Sequence, residues 1–558
     1  MSNAAIFMHP EAFDTSKKQL MGRHSAGEGF LKGFIRHADV ERFHFWNVGT
    51  ETNEDMAAFV QRLQPTKKPI AWYNRAQRSK LSDPGVVSIP SPKIAEEAWF
   101  RRLVGDHSYA ICGLTHTTAT ARVSDALAEM LTGPVQPWDA LICTSRAVRA
   151  SVETQVEAVA DYLDERLGVR RRPSIRLETI PLGIDASAFL QTPERRRSWR
   201  EELDIPADAI VALYVGRFNL LSKMNPVAMA IALERAAKRL GKPLYWVLSG
   251  WAATEEKAAE FHAVTSAACP SVQYKVVDGR RPETRFTIWS VADFFISLSD
   301  NIQETFGLTP VEAMAAGLPS VISDWNGYRD TVRHGVDGFR VATYAPRPGL
   351  GTDLAFRHSV SWDSYDGYVG AASQFTAVDM DESAQAIFDL ASNAELRRRM
   401  GDNARKRAVE VFDWSAVIPQ YQALWADMAA LRPKQRPARP NNTPDNPYRL
   451  DPYRLFGSYP TEQLSAHSGL RVTPGVTAKD AGEFLAQPIL KNIVGILPRR
   501  EEIEQIINTV GGLPRATVAD VTSTFALPRR MHIERTILTL AKYGLLVVTP
   551  TSPILLNR

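Results

Sequence analysis

The chain has 558 residues, 44% hydrophobic and 23% charged, which is ordinary globular usage and excludes a wholly disordered, collagenous or coiled-coil molecule. At this length about three or four domains are expected. Sixty-six Lys and Arg against 62 Asp and Glu leave a net charge of +4, too small for charge alone to imply a nucleic-acid partner.

The opening stretch MSNAAIFMHPEAFDTSKK lacks the charged and then apolar pattern of a signal peptide, and no run of about 18 apolar residues follows anywhere. Next comes MGRHSAGEGFLKGF, read as a loop at the entrance to a helix, where Gly27 and Gly29 let backbone N–H groups face a phosphate. SYAICGLTH (108–116) and DALICTS (139–145) are apolar runs that end in small or polar residues, as buried parallel strands do. His116 stands where the first run ends, with Thr117 and Thr118 as hydrogen-bonding neighbours. Cys112, Cys143 and Cys269 are widely spaced and odd in number. They suggest neither a disulfide framework nor a zinc knuckle, and a reducing cytoplasm is the expected compartment.

A helix is expected from Ser145 to Gly168, ending in VRRRP. A second basic cluster, Arg195, Arg196 and Arg197, opens the helix PERRRSWREEL. Such clusters suit peripheral contact with an anionic membrane at its inner face. Acidic residues interleave on the first helix, so a solvated face is the plainer reading. The runs AIVALYVG (209–216), PLYWVLSG (243–250) and DFFISLSD (293–300) then alternate with helical patterns, as βαβ units do. Arg217 lies just beyond the first of these runs and Lys223 six positions later, two cations on a strand-to-helix loop where a leaving diphosphate would need them.

The most specific stretch is SLSDNIQETFGLTPVEAMAAGLPS. Glu304 and Glu312 are separated by seven residues, with Glu304 in the loop after a strand and Glu312 about one turn into the following helix. Carboxylates are pure acceptors suited to sugar hydroxyls, Gly307 permits close backbone approach, and the amides around Phe306, Gly307 and Leu308 face an anion at the helix start. Further on, a long insertion, APRPGLGTDLAFRHSVSWDSYDGYVG, is expected between a strand and a helix. Asp379-Met380-Asp381 reads as a helix cap rather than a metal site, and an aromatic helix, DWSAVIPQYQALWADM, closes this part. RPKQRPARPNNTPDNPYRLDPYRL reads as a proline-rich linker, since proline this dense cannot continue a helix. The last hundred residues carry three amphipathic helical patterns and the strand LLVV, a winged-helix-like module with too few net cations on its third helix to favour DNA.

The Glu304-x7-Glu312 stretch with Ala-Met-Ala-Ala-Gly-Leu-Pro resembles the signature of retaining, nucleotide-sugar-dependent glycosyltransferases of family 4. The resemblance implies an α/β GT-B fold, two Rossmann-like doubly wound domains facing across a cleft, joined here by a small mainly α C-terminal domain. It implies that Glu304, with Thr305, Phe306, Gly307 and Leu308, contacts the transferred sugar, that Glu312 holds the ribose, and that Gly216, Arg217 and Lys223 bind the diphosphate. Met224 departs from the family's usual glycine. His116 would face the donor sugar across the cleft. Gly-Glu-Gly at 27–29 departs from the usual Gly-Gly.

The expected domains are 1–195 on the acceptor side, 196–412 for the nucleotide sugar, a crossover helix over 413–430, a linker over 431–460 and an interaction module over 461–558. The expected activity is hexose transfer from a nucleotide-diphosphate sugar to a glycan, lipid-linked or other glycoconjugate acceptor with retention, in polysaccharide or lipopolysaccharide biosynthesis. The donor is a co-substrate, with no cofactor and no metal required. His116, Arg217, Lys223 and Glu304 are the expected catalytic residues, and the module offers a protein partner or self-association. The alternative is a non-catalytic nucleotide-sugar sensor or assembly scaffold acting through that module.

Overall fold

The computed structural model describes residues 3–9, 13, 22–169, 176–432, 446–490 and 498–549. The chain forms two compact units, Met1–Asp445 and Asn446–Arg558. The first contains two parallel sheets. One is built from β1 (Ala5–Met8), β2 (Phe43–Asn47), β3 (Ile70–Tyr73), β4 (Val86–Ser88), β5 (Ala110–Leu114), β6 (Ala140–Cys143) and β7 (Arg176–Thr179). The other comprises β8 (Ile210–Val215), β9 (Leu244–Gly250), β10 (Gln273–Asp278), β11 (Phe294–Ser297), β12 (Ser320–Ser323) and β13 (Gly338–Val341). β6, β11 and β12 are buried at every position, which is why they read as unbroken apolar runs: helices cover both faces of such sheets.

Strand order is β3-β2-β1-β4-β5-β6-β7 in the first sheet and β10-β9-β8-β11-β12-β13 in the second. Each reverses direction once, between β1 and β4 and between β8 and β11, and in doubly wound sheets the crevice outside the strand ends at that reversal is where ligands bind. β8 and β11 pair directly, with Ala212 beside Phe294. The loops carrying Arg217 and Glu304 therefore start from adjacent strands.

The helix Trp414–Leu431 returns from the second sheet to the first. Trp414 meets Phe30 and Trp425 meets Phe34 edge to face, at 6.0 and 5.7 Å between ring centres. This contact corrects the reading of Gly27 and Gly29. Both lie inside the helix Gly22–His37, not in a loop ahead of one. A Cβ on Gly29 would stand 3.4 Å from the Trp414 indole, and one on Gly33 or Gly183 would overlap it. Gly33 and Gly183 thus flatten a surface for the tryptophan, and Gly27 and Gly29 sit in the same helix as Gly33 rather than in an open loop.

The insertion is bracketed by the antiparallel pair Thr343–Tyr344 and Ala377–Val378 and contains helices Thr352–Ser359 and Tyr365–Gln374. Asp379 caps the helix Met380–Ser392, accepting from the amides of Asp381 at 3.0 Å and Glu382 at 2.9 Å. The second basic cluster is largely tied inward: Arg196 donates to Ala292 O and pairs with Asp293, and Arg195 donates to Leu190 O. The VRRRP arginines, from Arg170 on, and linker residues 433–445 lie outside the described residues. Beyond them, the second PYRL is one helical turn, Pro452–Leu455, capped by Asp451. Proline is tolerated there because the first helical position needs no N–H.

The unit Asn446–Arg558 has its own core, in which Ile503, Ile506, Val521, Ile533, Ile537 and Leu540 are buried. Helices Arg500–Gly511, Val518–Ser523 and Arg530–Lys542 enclose it, and Gly544 takes a φ of +76° just past the last one. The expected single strand is one of three: Gly469–Val472 pairs antiparallel with both Ala516–Thr517 and Leu546–Thr549. Arg529 binds Glu502 at 2.6 Å, Arg530 donates to Phe525 O and Arg535 meets His532 at 2.9 Å, so cations of the third helix and of the turn before it are engaged within the module.

Candidate active site

The sequence SDNIQETFGL carries the chain from the end of β11 to the helix Leu308–Ala315. Gly307 precedes that helix at φ +87°, and a Cβ there would overlap the Tyr328 ring. Only glycine makes that turn without strain. Tyr328 is fixed in turn by its hydroxyl against Ser297 Oγ at 2.9 Å. Glu304 then faces the β8 loop, where Lys223 Nζ donates to Glu304 Oε2 at 2.8 Å. Gly216 is held close beneath the same loop, since a Cβ there would lie 2.5 Å from the Tyr214 hydroxyl. Arg217 is half-buried, and its guanidinium has no hydrogen-bond partner among the described residues.

Thr305 joins the halves of the unit. Its hydroxyl donates to His116 O at 3.0 Å, and its carbonyl accepts from Ser145 Oγ at 2.9 Å. Nearby, Arg146 of the first half binds Asp330 of the second at 2.7 Å. The structure thus brings Lys223, Glu304, Thr305 and His116 together. Glu312 and Leu308 line a neighbouring cavity with Glu28, Gly29, Lys32 and Arg285. His116 and Gly27 also border a smaller, mainly apolar cavity beside Trp414. Phe306 is the outlier: its side chain is core, packed edge to face on Phe412, so only its backbone can serve the site.

The two glutamates are tuned apart. Burial pushes Glu304 up, but the Lys223 ammonium and the amides of Thr305 and Phe306 outweigh it and hold the carboxyl below its ordinary range. Among the described residues Glu312 has no cation in contact; burial raises it to about 7, with Arg285 opposing. Arg285 stands between Glu312 and Glu28, 4.0 Å from the latter.

Sequence reasoning missed three residues here. Asp300 is 5% exposed, its Oδ1 has no partner among the described residues, and burial raises it to about 7 against hydrogen bonds from its own amide and that of Asn225. Asn301 is fully buried and donates to Leu221 O at 2.7 Å, fastening the Arg217–Lys223 loop. Glu28, 5% exposed, reaches the cavity from the first half. The polar run between β11 and Glu304 was the available signal for the first two. Among the described residues no group of three His, Cys, Asp or Glu side chains is placed to hold a metal, and no helix is long and apolar enough to cross a membrane.

Two Rossmann-like sheets meeting at a cleft define a GT-B fold. Residues 195–347 match the family described as Glycosyl transferases group 1, so this stretch is a domain of that group. The D-inositol 3-phosphate glycosyltransferase of Thermobispora bispora is 27% identical over 212 residues, 36% of this chain and 49% of that protein. The lipopolysaccharide 1,2-N-acetylglucosaminetransferase of Salmonella typhimurium is 25% identical over 185 residues, 32% of this chain and 46% of that protein. The chain spans about half the length of the curated relatives it matches. Among solved structures, Anabaena HepE with UDP and glucose aligns over 76% of this chain and 99% of that one, at 13% identity and a TM-score of 0.48.

Proposed function

We propose that the chain is a retaining glycosyltransferase that moves a hexose from a nucleoside-diphosphate sugar to a glycan, lipid-linked or other glycoconjugate acceptor, in the cytoplasm and in polysaccharide or lipopolysaccharide assembly. The observation that carries this reading is the Lys223–Glu304 contact at the reversal point of the second sheet, with Thr305 bonded across the cleft. A bound donor would draw Lys223 toward its diphosphate and leave Glu304 to accept from sugar hydroxyls. Arg217 and Lys223 would stabilise the charge that grows on the leaving diphosphate as the anomeric bond breaks. Glu312 would accept from the ribose hydroxyls, and His116 would border the sugar from the opposite half. Attack from the face the diphosphate leaves, with a phosphate oxygen taking the acceptor's proton, gives retention without a covalent sugar–enzyme intermediate. The relatives named above act, by their names, on inositol phosphate and on lipopolysaccharide; two such unlike acceptors support the transfer class and not one acceptor.

The test is a screen of UDP, GDP and ADP sugars without added metal, reading thermal shift and slow donor hydrolysis together, with Glu312→Ala alongside. One nucleotide sugar should stabilise and be hydrolysed by the wild type and do neither with the variant. Absence of any shift in the wild type removes the donor site. Tight binding with no transfer to any acceptor moves the chain to a sensor or scaffold.

A further inference from the structure

We propose that Asp330 is a positioning residue for the transfer: its carboxylate caps a helix of the opposite half and so sets His116 against the Glu304 loop. The inference rests on the glycosyltransferase reading of the site and adds to it a residue that acts through others.

Asp330 belongs to the short helix Tyr328–Thr331 after β12, which is packed into the Glu304 loop. A Cβ on Gly327 would overlap Thr305 O and Phe306 Cα, and the Tyr328 ring leaves no room for one on Gly307. Arg407 holds the same helix, donating to Asp330 O at 3.0 Å and to Thr331 O at 2.9 Å. Asp330 thus stands on the support of the turn that carries Glu304.

In the first half, the helix Arg146–Leu167 starts with amides that find no partner within the helix. Ser145 Oγ accepts from Val148 N at 3.2 Å. The cap of Arg146 N comes from the second half: Asp330 Oδ2 accepts from it at 2.7 Å, while Oδ1 accepts from Arg146 Nε at 2.7 Å. A carboxylate at a helix start is favoured by the dipole and by charge-assisted bonds. Beside it, Ser145 Oγ donates to Thr305 O at 2.9 Å. One helix start therefore docks on both the Glu304 loop and the helix packed into it. The contact reaches His116 through the strand ends. Thr115 donates its N–H and its hydroxyl to Ile142 O, at 3.0 and 3.1 Å, tying the end of β5 to β6, which leads into Ser145. The diphosphate, sugar and ribose residues, Gly216 to Glu312, belong to the second half, and His116 belongs to the first. Asp330 thus sets how His116 meets a bound donor, while donor affinity rests on the second half.

The experiment uses the full chain and compares Asp330→Ala, Asp330→Asn, Arg146→Ala and the Asp330→Ala/Arg146→Ala double variant. Asp330→Ala should lower turnover about ten-fold, as for a lost hydrogen bond to a charged group, and leave nucleoside-diphosphate affinity within about two-fold. Asp330→Asn keeps an acceptor for Arg146 N and should recover part of the loss. Arg146→Ala keeps the backbone bond and removes a side chain that is 77% exposed, so it should cost at most about three-fold. The double variant should be no slower than Asp330→Ala alone. Turnover near the wild type in Asp330→Ala, or nucleotide affinity that falls in step with the rate, overturns the proposal. Spin labels on Ala158→Cys and Asp402→Cys, exposed positions in the two halves, give a readout independent of activity. Cys112, Cys143 and Cys269 are buried and leave the labels specific. Asp330→Ala should broaden the distance distribution and Arg146→Ala much less; an unchanged distribution in Asp330→Ala overturns the proposal. Should Asp330→Ala melt far below the wild type, Asp330→Asn carries the same comparisons. If the wild type neither binds nor turns over a nucleotide sugar, the glycosyltransferase reading fails, and the label distances alone decide whether Asp330 sets the two halves.

Discussion

Lys223 and Glu304 form a pair whose two members must be changed together to be understood. Glu304 is 12% exposed and Lys223 27%. Lys223→Ala leaves a largely buried carboxylate without its cation, so the variant should lose stability as well as turnover. Turnover should fall by an amount equivalent to about 2 to 4 kcal/mol, the usual loss for one contact to a developing oxyanion. Adding Glu304→Gln should restore the melting temperature and not the rate. Recovery of both would remove Lys223 from the chemistry. The pH behaviour of this site follows from opposite shifts. Glu304, held low, contributes stability that is present above its unfolded value and lost as pH falls through the folded one. Asp300 and Glu312, each raised to about 7 by burial, keep protons that the unfolded chain has released above pH ~4. Their contribution is full below that pH and is lost as pH rises toward 7. The melting temperature should therefore drop between pH 5 and 8, and the drop should shrink in Asp300→Asn and in Glu312→Gln. Donor affinity should move the other way, rising from pH 6 to 8 as Glu312 ionises, and Glu312→Gln should flatten it. A donor KM that is flat in the wild type would separate Glu312 from the ribose.

At the scale of elements, the helix Gly22–His37 gives a clean contrast. Gly29 has ordinary room for a Cβ beside Trp414, whereas Gly33 has none. Gly29→Ala should be neutral or stabilising by up to about 1 kcal/mol, because alanine costs less backbone entropy in a helix. Gly33→Ala should cost roughly 1 to 3 kcal/mol through overpacking. Urea denaturation of the two variants measures both, and a donor-binding defect in Gly29→Ala would return that residue to the phosphate. The same pair explains what the sequence could and could not disclose. The placement of Glu304, Gly307 and Glu312 was legible because strand, turn and helix follow one another within a few residues. The helical setting of Gly27 and Gly29 was not, since glycines this dense read as a loop, and Trp414, against which this helix packs at Gly29 and Gly33, lies far along the chain. Strand Gly469–Val472 escaped for a related reason: four residues with one buried position carry little pattern, and the strand exists through its pairing with Leu546–Thr549.

For the molecule as a whole, the decisive feature is that the core around Ile503 and Ile537 shares no residue with the four cores of the unit Met1–Asp445. A segment on the order of a hundred residues with its own helices and sheet is large enough to fold alone. The first unit holds every residue argued to touch the donor, from His116 to Glu312. The full chain should therefore melt in two calorimetric transitions, and a nucleotide sugar should raise only one of them, by the amount its occupancy dictates. A chain ended at residue 445 should keep that transition, its ligand shift and donor hydrolysis, while transfer to a natural acceptor or assembly with a partner is where the missing module would tell. A single cooperative transition, or loss of the donor shift on truncation, would make the module part of the donor-binding fold. Retention of the shift with unchanged transfer would confine the module's work to whatever it binds outside this reaction.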